Sequence, residues 1–581
     1  MEKTPFIFNK EKRGIDYLWE RLPHISLYQM RITGMASYAG ILGGFMSIYP
    51  VFAQYTPPYR CETIFDNNEE FSWLTWEQVN TLSTDTPFCS GYKDSELSSG
   101  CGHCVFDPIS IDSCDHREDF STLKDCLGEP AQEISNWTTC NEEFNFDRSL
   151  RNRTNLVFDK GETWETAVTQ FKLICGDEWF DSLSTALGLL SLMLGAYIAG
   201  IYTDRFGRKH AIMVWNTITA VCLTIHAFMP NQYGFLAMRV LGNGFGHVSY
   251  LAQKAYSMEM LGPKRRAISG ALASAYFSIG YMSSSAVAYF LPDWRGFTLA
   301  YAGIAYATLL TYPFYPESPL FLYSRGRKDE ARKIFKEMGR KTDTEIDDQL
   351  LEKVEADILK KNDGENEETK AEQYTILDLL RHKDLALVSL NVGFAFLVNT
   401  LVYYGLSFNV ASFAGSIYVN NTINGAVELL SYILVAFSLD KFGRRWINGG
   451  FMIFGGIACL VCMALDEAAQ KSDDPSSLLE AQRWMAFAGK FFISGSFSAI
   501  YVHAAELFPT PLRSTGIGFG SMCGRVGGFF SPFIIQIKKG YIIYLIFGAF
   551  GLIGGALVFL LPETTCLPEK DNGQNKFETD L

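Results

Sequence analysis

Four of the ionisable residues inside long apolar runs of the sequence are singled out, because a charge there needs an explanation. They are Glu259, Glu428, Lys490 and Arg525. A charge at the centre of a membrane-spanning helix costs about 2.5–3.5 kcal/mol on insertion scales, so each residue is a functional hypothesis by default. An acid and a cation in apolar segments are the residue types that bind an organic ion by charge. The alternative is that Glu428 and Arg525 serve structure alone, each paired within its own half of the chain.

The spacing of the other charges suggests separate roles for them. Lys490 lies sixteen residues before Glu506, which is roughly 24 Å along a helix at 1.5 Å per residue. We therefore expect Lys490 in the outer half of the membrane, where it either snorkels outward or contacts a ligand or coupling ion. Glu259 and Glu506 lie shortly before Arg265 and Arg513, near the cytoplasmic ends of their segments. We interpret these two acids as gate residues rather than substrate contacts.

The elements that must position these charges are apolar helices. Of the 581 residues, 48% are hydrophobic and 19% are charged. A bilayer core of about 30 Å requires about 20 largely apolar residues in a helix. Twelve runs of this kind are present, centred near Gly43, Leu190, Ala220, Gly242, Ala275, Ala305, Phe394, Leu430, Phe454, Gly495, Met522 and Gly551. The sequence therefore predicts an all-α membrane protein with twelve transmembrane helices.

Basic residues are concentrated in alternate connections, which sets the orientation of the predicted spans. They are Arg205, Arg208 and Lys209 after span 2, Lys264, Arg265 and Arg266 after span 4, Arg325, Arg327, Lys328, Arg332 and Lys333 after span 6, Lys441, Arg444 and Arg445 after span 8, and Arg513 after span 10. Lys538 and Lys539, between spans 11 and 12, are the exception. We expect both termini to be cytoplasmic.

The first long loop, residues 56–180, is then extracellular. It holds eight of the thirteen cysteines: Cys61, Cys89, Cys101, Cys104, Cys114, Cys126, Cys140 and Cys175. An even count in an oxidising compartment predicts up to four disulfides, with the connectivity open. Cys101 and Cys104 form a C-x-x-C pair, but no second pair has zinc-ligand spacing, so we predict no metal. Asn136 and Asn152 stand in N-glycosylation sequons, which also favours an outside location.

The second long loop, residues 317–383, is highly charged and separates six spans from six. The sequence thus predicts a cytoplasmic N-terminus at 1–30, a six-helix bundle at 31–316 and a cytoplasmic linker at 317–383. A second six-helix bundle at 384–562 and a cytoplasmic tail at 563–581 follow. The net charge of −13 disfavours nucleic-acid partners. Motifs for ATP binding, zinc hydrolysis or a serine nucleophile are absent from the sequence, so we expect neither an enzyme nor a cofactor.

One short motif occurs once in each half of the chain. Asp204-Arg205-Phe206-Gly207-Arg208-Lys209 follows span 2, and Asp440-Lys441-Phe442-Gly443-Arg444-Arg445 follows span 8. Such a turn can pair an acid with an arginine across a helix seam, in a contact that breaks when the halves rock apart. An ordinary basic turn would explain one copy but not two at matching positions. The predicted gate residues are Asp204, Arg205, Arg208, Glu259, Arg265, Glu317, Asp440, Arg444, Glu506 and Arg513.

The repeated turn, Pro316-Glu317-Ser318-Pro319 and the twelve-span layout resemble the major facilitator superfamily. Within it, the chain is similar to the organic ion transporters, which carry organic cations, organic anions and carnitine and have a large cysteine-rich, glycosylated loop after span 1. Further matching segments are residues 168–175, 293–295, 403–407 and 505–516. The chain departs from the family at Leu320, where Arg is usual, and at Gln170-Phe171, where Glu-Trp is usual.

The resemblance implies a substrate class. Cation carriers of the family have Asp at the position of Arg525, whereas anion and carnitine carriers have Arg. Anion carriers tend to have Lys where this chain has Tyr432. One fixed charge of each sign, Glu428 and Arg525, suits a zwitterion such as carnitine. Matching aromatic positions, which supply cation–π attraction of about 0.5–2 kcal/mol each unless they serve packing alone, are Tyr250, Phe277, Tyr281, Tyr403 and Tyr404.

We therefore expect a plasma-membrane secondary transporter of organic cations or zwitterions, working by alternating access in the lipid bilayer. The alternatives are an organic anion transporter of the same family and a membrane receptor that does not transport. Coupling to an ion stays open. The end of the sequence, Glu578-Thr579-Asp580-Leu581, fits the pattern that PDZ scaffolds bind by strand addition.

Overall fold

The computed structural model describes most of the helical part of the chain. The described residues are 27–55, 59–61, 102–104, 137–139, 144–146, 165–173, 177–261, 266–342, 344, 346–352, 355, 379, 381, 383–472, 474–508, 512–537 and 539–564. The cysteines of the first loop, both sequons and the C-terminal motif have side chains outside this set, so the predictions made for them stay predictions.

Long helices fill both halves of the chain, and every predicted span centre lies in one of them. The N-terminal helices are α1 (Leu27–Ser37), α2 (Ala39–Ala53), α4 (Glu178–Phe206), α5 (Arg208–Ala227), α6 (Gln232–Leu261), α7 (Arg266–Phe290) and α8 (Trp294–Thr311). The C-terminal helices are α11 (Lys383–Phe408), α12 (Ile417–Phe442), α13 (Arg444–Ala469), α14 (Ser476–Leu507), α15 (Arg513–Ile535) and α16 (Gly540–Val558). Eight of the described segments are long and apolar enough to cross a membrane, judged by length and composition.

Short elements occupy the two long connections. The first holds strands β1 (Tyr59–Cys61), β2 (Gly102–Cys104), β3 (Trp137–Thr139) and β4 (Phe144–Phe146) and helix α3 (Ala167–Phe171). β1 pairs antiparallel with β4, and β2 pairs antiparallel with β3. The second connection holds α9 (Pro319–Ser324) and α10 (Lys328–Lys341). The end of the helices that meets the first connection is called the loop end below, and the other the linker end.

The chain divides into a larger unit, with the described parts of 1–51, 182–290 and 295–581, and a smaller one at 52–181 and 291–294. In the smaller unit, Thr166 and Thr169 form reciprocal hydrogen bonds that start α3. The indole N–H of Trp294 donates to Gln170 Oε1 at 2.8 Å, and the ring contacts Phe171 at 6.0 Å between centroids. Gln170 and Phe171, which depart from the family pattern, therefore make a hydrogen bond and a ring contact with the same tryptophan.

Close crossings in the larger unit depend on glycine. A Cβ on Gly44 of α2 would lie 2.0 Å from the carbonyl oxygen of Phe277 in α7. In the C-terminal helices, a Cβ on Gly527 of α15 would lie 2.2 Å from the carbonyl oxygen of Leu397 in α11. Only a residue without a side chain allows such an approach. The same kind of crossing thus occurs in both halves.

Contacts between the two halves are present at the loop end. Asn421 of α12 donates to the hydroxyls of Ser284 at 3.1 Å and Ser285 at 2.8 Å, both on α7. Ser182 at the start of α4 donates to the carbonyl of Pro532 near the end of α15 at 3.1 Å. Two separate helix pairs therefore join the halves at this end, and we call these contacts the loop-end gate.

Candidate functional site

The carboxylate of Glu428 sits in a fully buried cluster between α11, α12 and α14. Its Oε2 lies 3.2 Å from Lys490 Nζ, and both side chains are at most 1% exposed. Tyr403 donates its hydroxyl to Oε2 at 2.7 Å, and Tyr432 donates to Oε1 at 3.1 Å. Burying a charge is tolerable when it is paired and hydrogen-bonded in this way. The negative charge of Glu428 is therefore already compensated by the chain itself.

The ammonium of Lys490 also contacts two of the aromatic rings that were predicted to contact a ligand. Nζ lies 3.2 Å from the ring centroid of Tyr403 and 5.6 Å from that of Tyr281, and it donates to Ser407 Oγ at 2.5 Å. Tyr281 in turn accepts a hydrogen bond from Asn424 at 2.8 Å. The outward orientation considered for Lys490 is thus wrong: carboxylate, hydroxyl and ring partners hold the side chain inside.

A second charged cluster lies where α6 of the N-terminal half meets α15 of the C-terminal half. Arg525 Nη2 lies 3.5 Å from His247 Nε2, and Lys254 Nζ lies 4.5 Å from the ring centroid of Tyr250. His247 and Tyr250 are 5.8 Å apart between ring centroids. All four side chains are half-buried. Among the described residues, neither Arg525 nor Lys254 forms an ion pair with a carboxylate.

Sequence reasoning missed His247 and Lys254. They lie seven residues apart on α6, about two helical turns, so both face the same direction as Tyr250. The signal was available, because a histidine and a lysine lie inside a predicted span in the same way as the four charges that were singled out. Together the two clusters hold one carboxylate and three cations, so the site as a whole is electropositive.

The remaining aromatic positions divide into accessible and buried rings. Phe277 of α7 is half-buried and lies 6.0 Å from the ring of Tyr250. Tyr404 is buried, packs edge-on against Tyr403 at 5.2 Å, and lies within electrostatic range of Arg525. Of the five predicted rings, Tyr250 and Phe277 thus remain available to a ligand, while Tyr281 and Tyr403 surround Lys490.

The repeated turn in the N-terminal half forms a charged network at the linker end. Arg208 Nε contacts Glu259 Oε1 at 3.0 Å, and Nη2 contacts the exposed Asp204 at 3.3 Å. Glu317 accepts from the backbone N–H groups of Arg208 at 3.1 Å and Lys209 at 3.0 Å. These N–H groups begin α5 and have no partner within the helix, so a carboxylate there is stabilising. Glu317 therefore caps the helix that follows the turn.

The C-terminal half repeats this network with different residues. Arg444 Nε contacts Glu506 Oε2 at 3.1 Å. Glu563 accepts from the backbone N–H groups of Arg444 at 2.8 Å and Arg445 at 3.1 Å, which begin α13. Thr564 donates its hydroxyl to Glu506 at 2.6 Å. Glu259 and Glu506 thus pair with the arginines of the two turns. Each network lies within one half of the chain, and because its members are the predicted gate residues we call the two networks together the linker-end gate.

Glu563 was missed by the sequence analysis, which placed the tail boundary at this residue. The signal was the second copy of a short motif, because Pro562-Glu563-Thr564 repeats Pro316-Glu317-Ser318. Other predicted gate residues take a smaller part. Arg513 is exposed, Arg205 stacks on Phe206 at 5.4 Å, the side chain of Asp440 lies outside the described set, and Arg265 lies outside the described residues.

Comparison with known proteins identifies related sequences along nearly the whole chain. The sequence model of the family described as "Sugar (and other) transporter" matches residues 144–570. The chain is 28% identical to the Organic cation transporter protein of Drosophila melanogaster, over 96% of this chain and 93% of that protein. It is 30% identical to Solute carrier family 22 member 13 of Homo sapiens, over 70% of each chain. It is 28% identical to Organic cation/carnitine transporter 2 of Homo sapiens, over 70% of this chain and 71% of that protein.

Solved structures share the fold at low sequence identity. The inward open conformation of the xylose transporter XylE from E. coli superposes with a TM-score of 0.57 at 15% identity, covering 93% of this chain and 97% of that one. A partially occluded inward open conformation of the same transporter gives 0.55 at 14% identity, covering 92% of this chain and 99% of that one. This likeness establishes an all-helical major facilitator fold.

Proposed function

Since this chain belongs to the Sugar (and other) transporter family of major facilitator proteins, and is related there to the organic cation transporter and solute carrier family 22 proteins, we propose that it carries small organic ions bearing a carboxylate group. It is a secondary transporter and not an enzyme. Zwitterions such as carnitine and small organic anions are the proposed substrates. The observation that carries this proposal is the ion pair of Glu428 with Lys490.

The charge balance supports a carboxylate over a simple cation. A cation entering the site would have to displace Lys490 from Glu428, and the displaced ammonium would then lose its buried partners. A carboxylate needs no such displacement, because Arg525 and Lys254 offer half-buried cationic donors. A guanidinium binds a carboxylate through two parallel hydrogen bonds. The ammonium group of a zwitterion would lie against Tyr250 and Phe277 by cation–π attraction.

The loop-end gate, whose hydrogen bonds join the two halves, supports alternating access as the mechanism. Binding sites of such carriers lie at the interface of the two repeats, which rock about the substrate. Here the charged clusters lie between the loop-end gate, with Asn421 and Ser182, and the linker-end gate, with Arg208 and Arg444. Opening one gate while the other is closed would expose the clusters to one side of the membrane at a time.

A second candidate is the transport of simple organic cations. Glu428 favours it, because two tyrosine hydroxyls donate to this buried acid and hold its carboxylate in place, where it would bind a cation if Lys490 moved away. Relatives named as organic cation transporters also favour it. The two candidates differ in what they require of Lys490, and they therefore predict different substrate preferences.

The location and topology belong to the same proposal. We place the chain in the plasma membrane with twelve spans, both termini in the cytoplasm and the loop 56–180 outside, where its cysteines pair and its sequons are glycosylated. The distribution of lysine and arginine supports this orientation. A PDZ scaffold at residues 578–581 is a further proposed partner.

The experiment compares the uptake of three labelled probes by cells that express the chain: carnitine, tetraethylammonium and 4-aminohippurate. We expect carnitine or 4-aminohippurate to enter and tetraethylammonium to be excluded. Arg525→Gln should lower carboxylate uptake at least tenfold, since a hydrogen bond to a charged group is worth about 1.5–3 kcal/mol. Arg525→Lys keeps the charge and should retain part of the uptake.

Surface expression of each variant provides the necessary control, together with Arg327→Gln, which alters an exposed arginine of the linker. That control should transport as the wild type does. Uptake of tetraethylammonium alone, unchanged in Arg525→Gln, would favour the second candidate. Absence of all uptake, with the chain present at the surface, would count against the transport of all three probe classes.

A further inference from the structure

His247 occupies an unusual position in the cationic cluster. Its ring lies at the boundary between the halves, with Nε2 facing Arg525 Nη2 at 3.5 Å. On the other side, its Cβ packs over Gly195 of α4. The side chain is half-buried, so protons and small ligands that enter the site can reach it. No step of the transport cycle described above uses this residue.

A hydrogen bond between Arg525 and His247 at this position is compatible with one tautomer of the ring. A guanidinium can only donate hydrogen bonds, so Nε2 of His247 has to be the acceptor. The single ring proton therefore lies on Nδ1, and the imidazole is neutral. If Nε2 gained a proton, two donors would face each other with no acceptor between them. A carboxylate inserted between Nε2–H and Nη2–H would accept from both and remove this conflict.

The charged and titratable groups around His247 act in the same direction. Arg525 on α15 and Lys254 on its own helix are both cations in electrostatic contact with the ring. Beside these groups lie phenols, namely Tyr250 on α6, Tyr404 on α11 beside Arg525, and Tyr501 on α14 beside Lys254, and Glu428, whose charge Lys490 neutralises, lies within electrostatic range of Tyr404. On α4, the residue that His247 Cβ packs over is Gly195, which carries no ionisable side chain. An empty site therefore opposes a third positive charge, and an incoming carboxylate favours it.

We propose that His247 is a proton-binding site which couples carboxylate transport to the movement of one proton. This inference rests on the proposed function, because it requires a carboxylate at Arg525. The carboxylate enters from the proton-rich side, Nε2 takes up a proton, and the ion bridges His247 and Arg525. When the other gate opens, the carboxylate leaves and the proton follows. Both are released, and the neutral ring again accepts from Arg525.

Thermodynamic linkage makes the proposal quantitative. If a bound carboxylate raises the proton affinity of His247 by some factor, protonation raises the carboxylate affinity by the same factor. While the ring is mostly neutral, uptake from a dilute substrate then rises towards tenfold for each unit by which the pH falls. Because His247 bridges the two halves, the proton and the carboxylate are bound and released together when the halves separate.

The experiment uses the purified full chain in proteoliposomes with a pH-sensitive dye in the lumen and a clamped membrane potential. The probes are 4-aminohippurate and carnitine. Wild-type protein should take up the transported probe several-fold faster at external pH 6.5 than at 7.5, and the lumen should acidify with uptake. Liposomes without protein correct for passive entry of the acid.

Variants separate proton binding from a structural role of the ring. His247→Gln keeps a neutral polar side chain that cannot take up a proton, so the uptake that this variant retains should vary less than twofold between the two pH values, and lumen acidification should stop. His247→Lys supplies a permanent charge, so uptake should be fast at both pH values, again without acidification. His210→Gln, which alters a histidine bonded to Tyr202 at the linker end, should keep the wild-type pH profile.

Two results would overturn the proposal. One is a His247→Gln variant that retains the wild-type pH dependence or still acidifies the lumen. The other is wild-type uptake of 4-aminohippurate or carnitine without any proton movement, which leaves the proposed substrate class intact and removes only the coupling. Failure of both carboxylates to enter at any pH would instead remove the proposed function, and the coupling with it.

Discussion

Lys490 Nζ lies 3.2 Å from Glu428 Oε2 in a pair that is closed off from solvent. The lysine comes from α14 and the glutamate from α12, and the two tyrosines that donate to the glutamate come from α11 and α12. The pair therefore ties three helices of the C-terminal half together. It also changes the charge of the central site, because the acid that could have attracted a cation is already neutralised.

The first prediction concerns the stability of this pair. Glu428→Gln leaves a buried ammonium without its counter-charge, and loss of one partner of a buried pair costs about 3–5 kcal/mol. We expect a lower thermal midpoint for the purified protein. Glu428→Gln combined with Lys490→Met should recover most of the loss, since the double variant buries no charge. If the double variant were as unstable as the single one, the pair would not be the cause.

The second prediction concerns the two helix caps at the linker end. Glu317→Ala and Glu563→Ala each remove a carboxylate from the first N–H groups of a helix. Each should destabilise the protein by about 0.5–2 kcal/mol, and the two effects should be similar because the networks repeat. Thermal unfolding in detergent measures both, with Glu337→Ala, an exposed position in the middle of α10, as control. A clear loss for Glu317→Ala and none for Glu563→Ala would contradict the repeat.

The long apolar helices and the repeated turns were predictable because apolar runs and short motifs are local features of the sequence. Tertiary pairing was not. Lys490 was expected either to snorkel outward or to contact a ligand or coupling ion, and the sequence gives no sign that Ser407 and Tyr403 lie beside it. Glu563 was assigned to the tail, since a cap is recognised only when the helix that it caps is known. His247 gained its meaning from Arg525, 278 residues away.

The third prediction concerns the pH dependence of the linker, which lies outside the membrane-spanning segments. Arg332 donates two hydrogen bonds to Glu355, at 2.5 and 2.8 Å, and this holds the pKa of Glu355 below its usual range. Because the pKa of Glu355 is lowered in the folded state, its ion pair with Arg332 stabilises the packing of Glu355 against α10 at neutral pH. That stabilisation is lost as the pH falls from the ordinary carboxyl range through the lower folded-state value.

Hydrogen exchange of the amides in α10 tests this directly. Exchange should be slow at pH 7 and, after correction for intrinsic rates, faster at pH 4. Glu355→Gln should exchange quickly at both values. Lys336→Gln is a suitable comparison, because its partner Asp348 forms an exposed pair on the same segment. Protection that is identical at both pH values in the wild type would contradict the prediction.

The fourth prediction concerns the loop-end gate. Asn421→Ala removes the hydrogen bonds from α12 to Ser284 and Ser285, so conformations with this end open should become more populated. Spin labels at the exposed positions Phe290 and Val419 would report a longer mean distance in Asn421→Ala than in the parent. Thr422→Ala, whose hydroxyl bonds within its own helix, should leave the distance unchanged. Equal distances in the two variants would remove Asn421 from the gate.

The central claim is that the site selects a carboxylate because Lys490 already satisfies Glu428. The measurement that tests it most directly is the uptake ratio of 4-aminohippurate and carnitine to tetraethylammonium in the double variant Glu428→Gln, Lys490→Met, normalised to surface protein. The account predicts that uptake of the carboxylate probes and their preference over tetraethylammonium persist, because Arg525 and Lys254 remain. Two results together would contradict the account: the double variant loses carnitine uptake, and the wild type transports tetraethylammonium whereas the double variant does not. Glu428 would then bind the substrate directly.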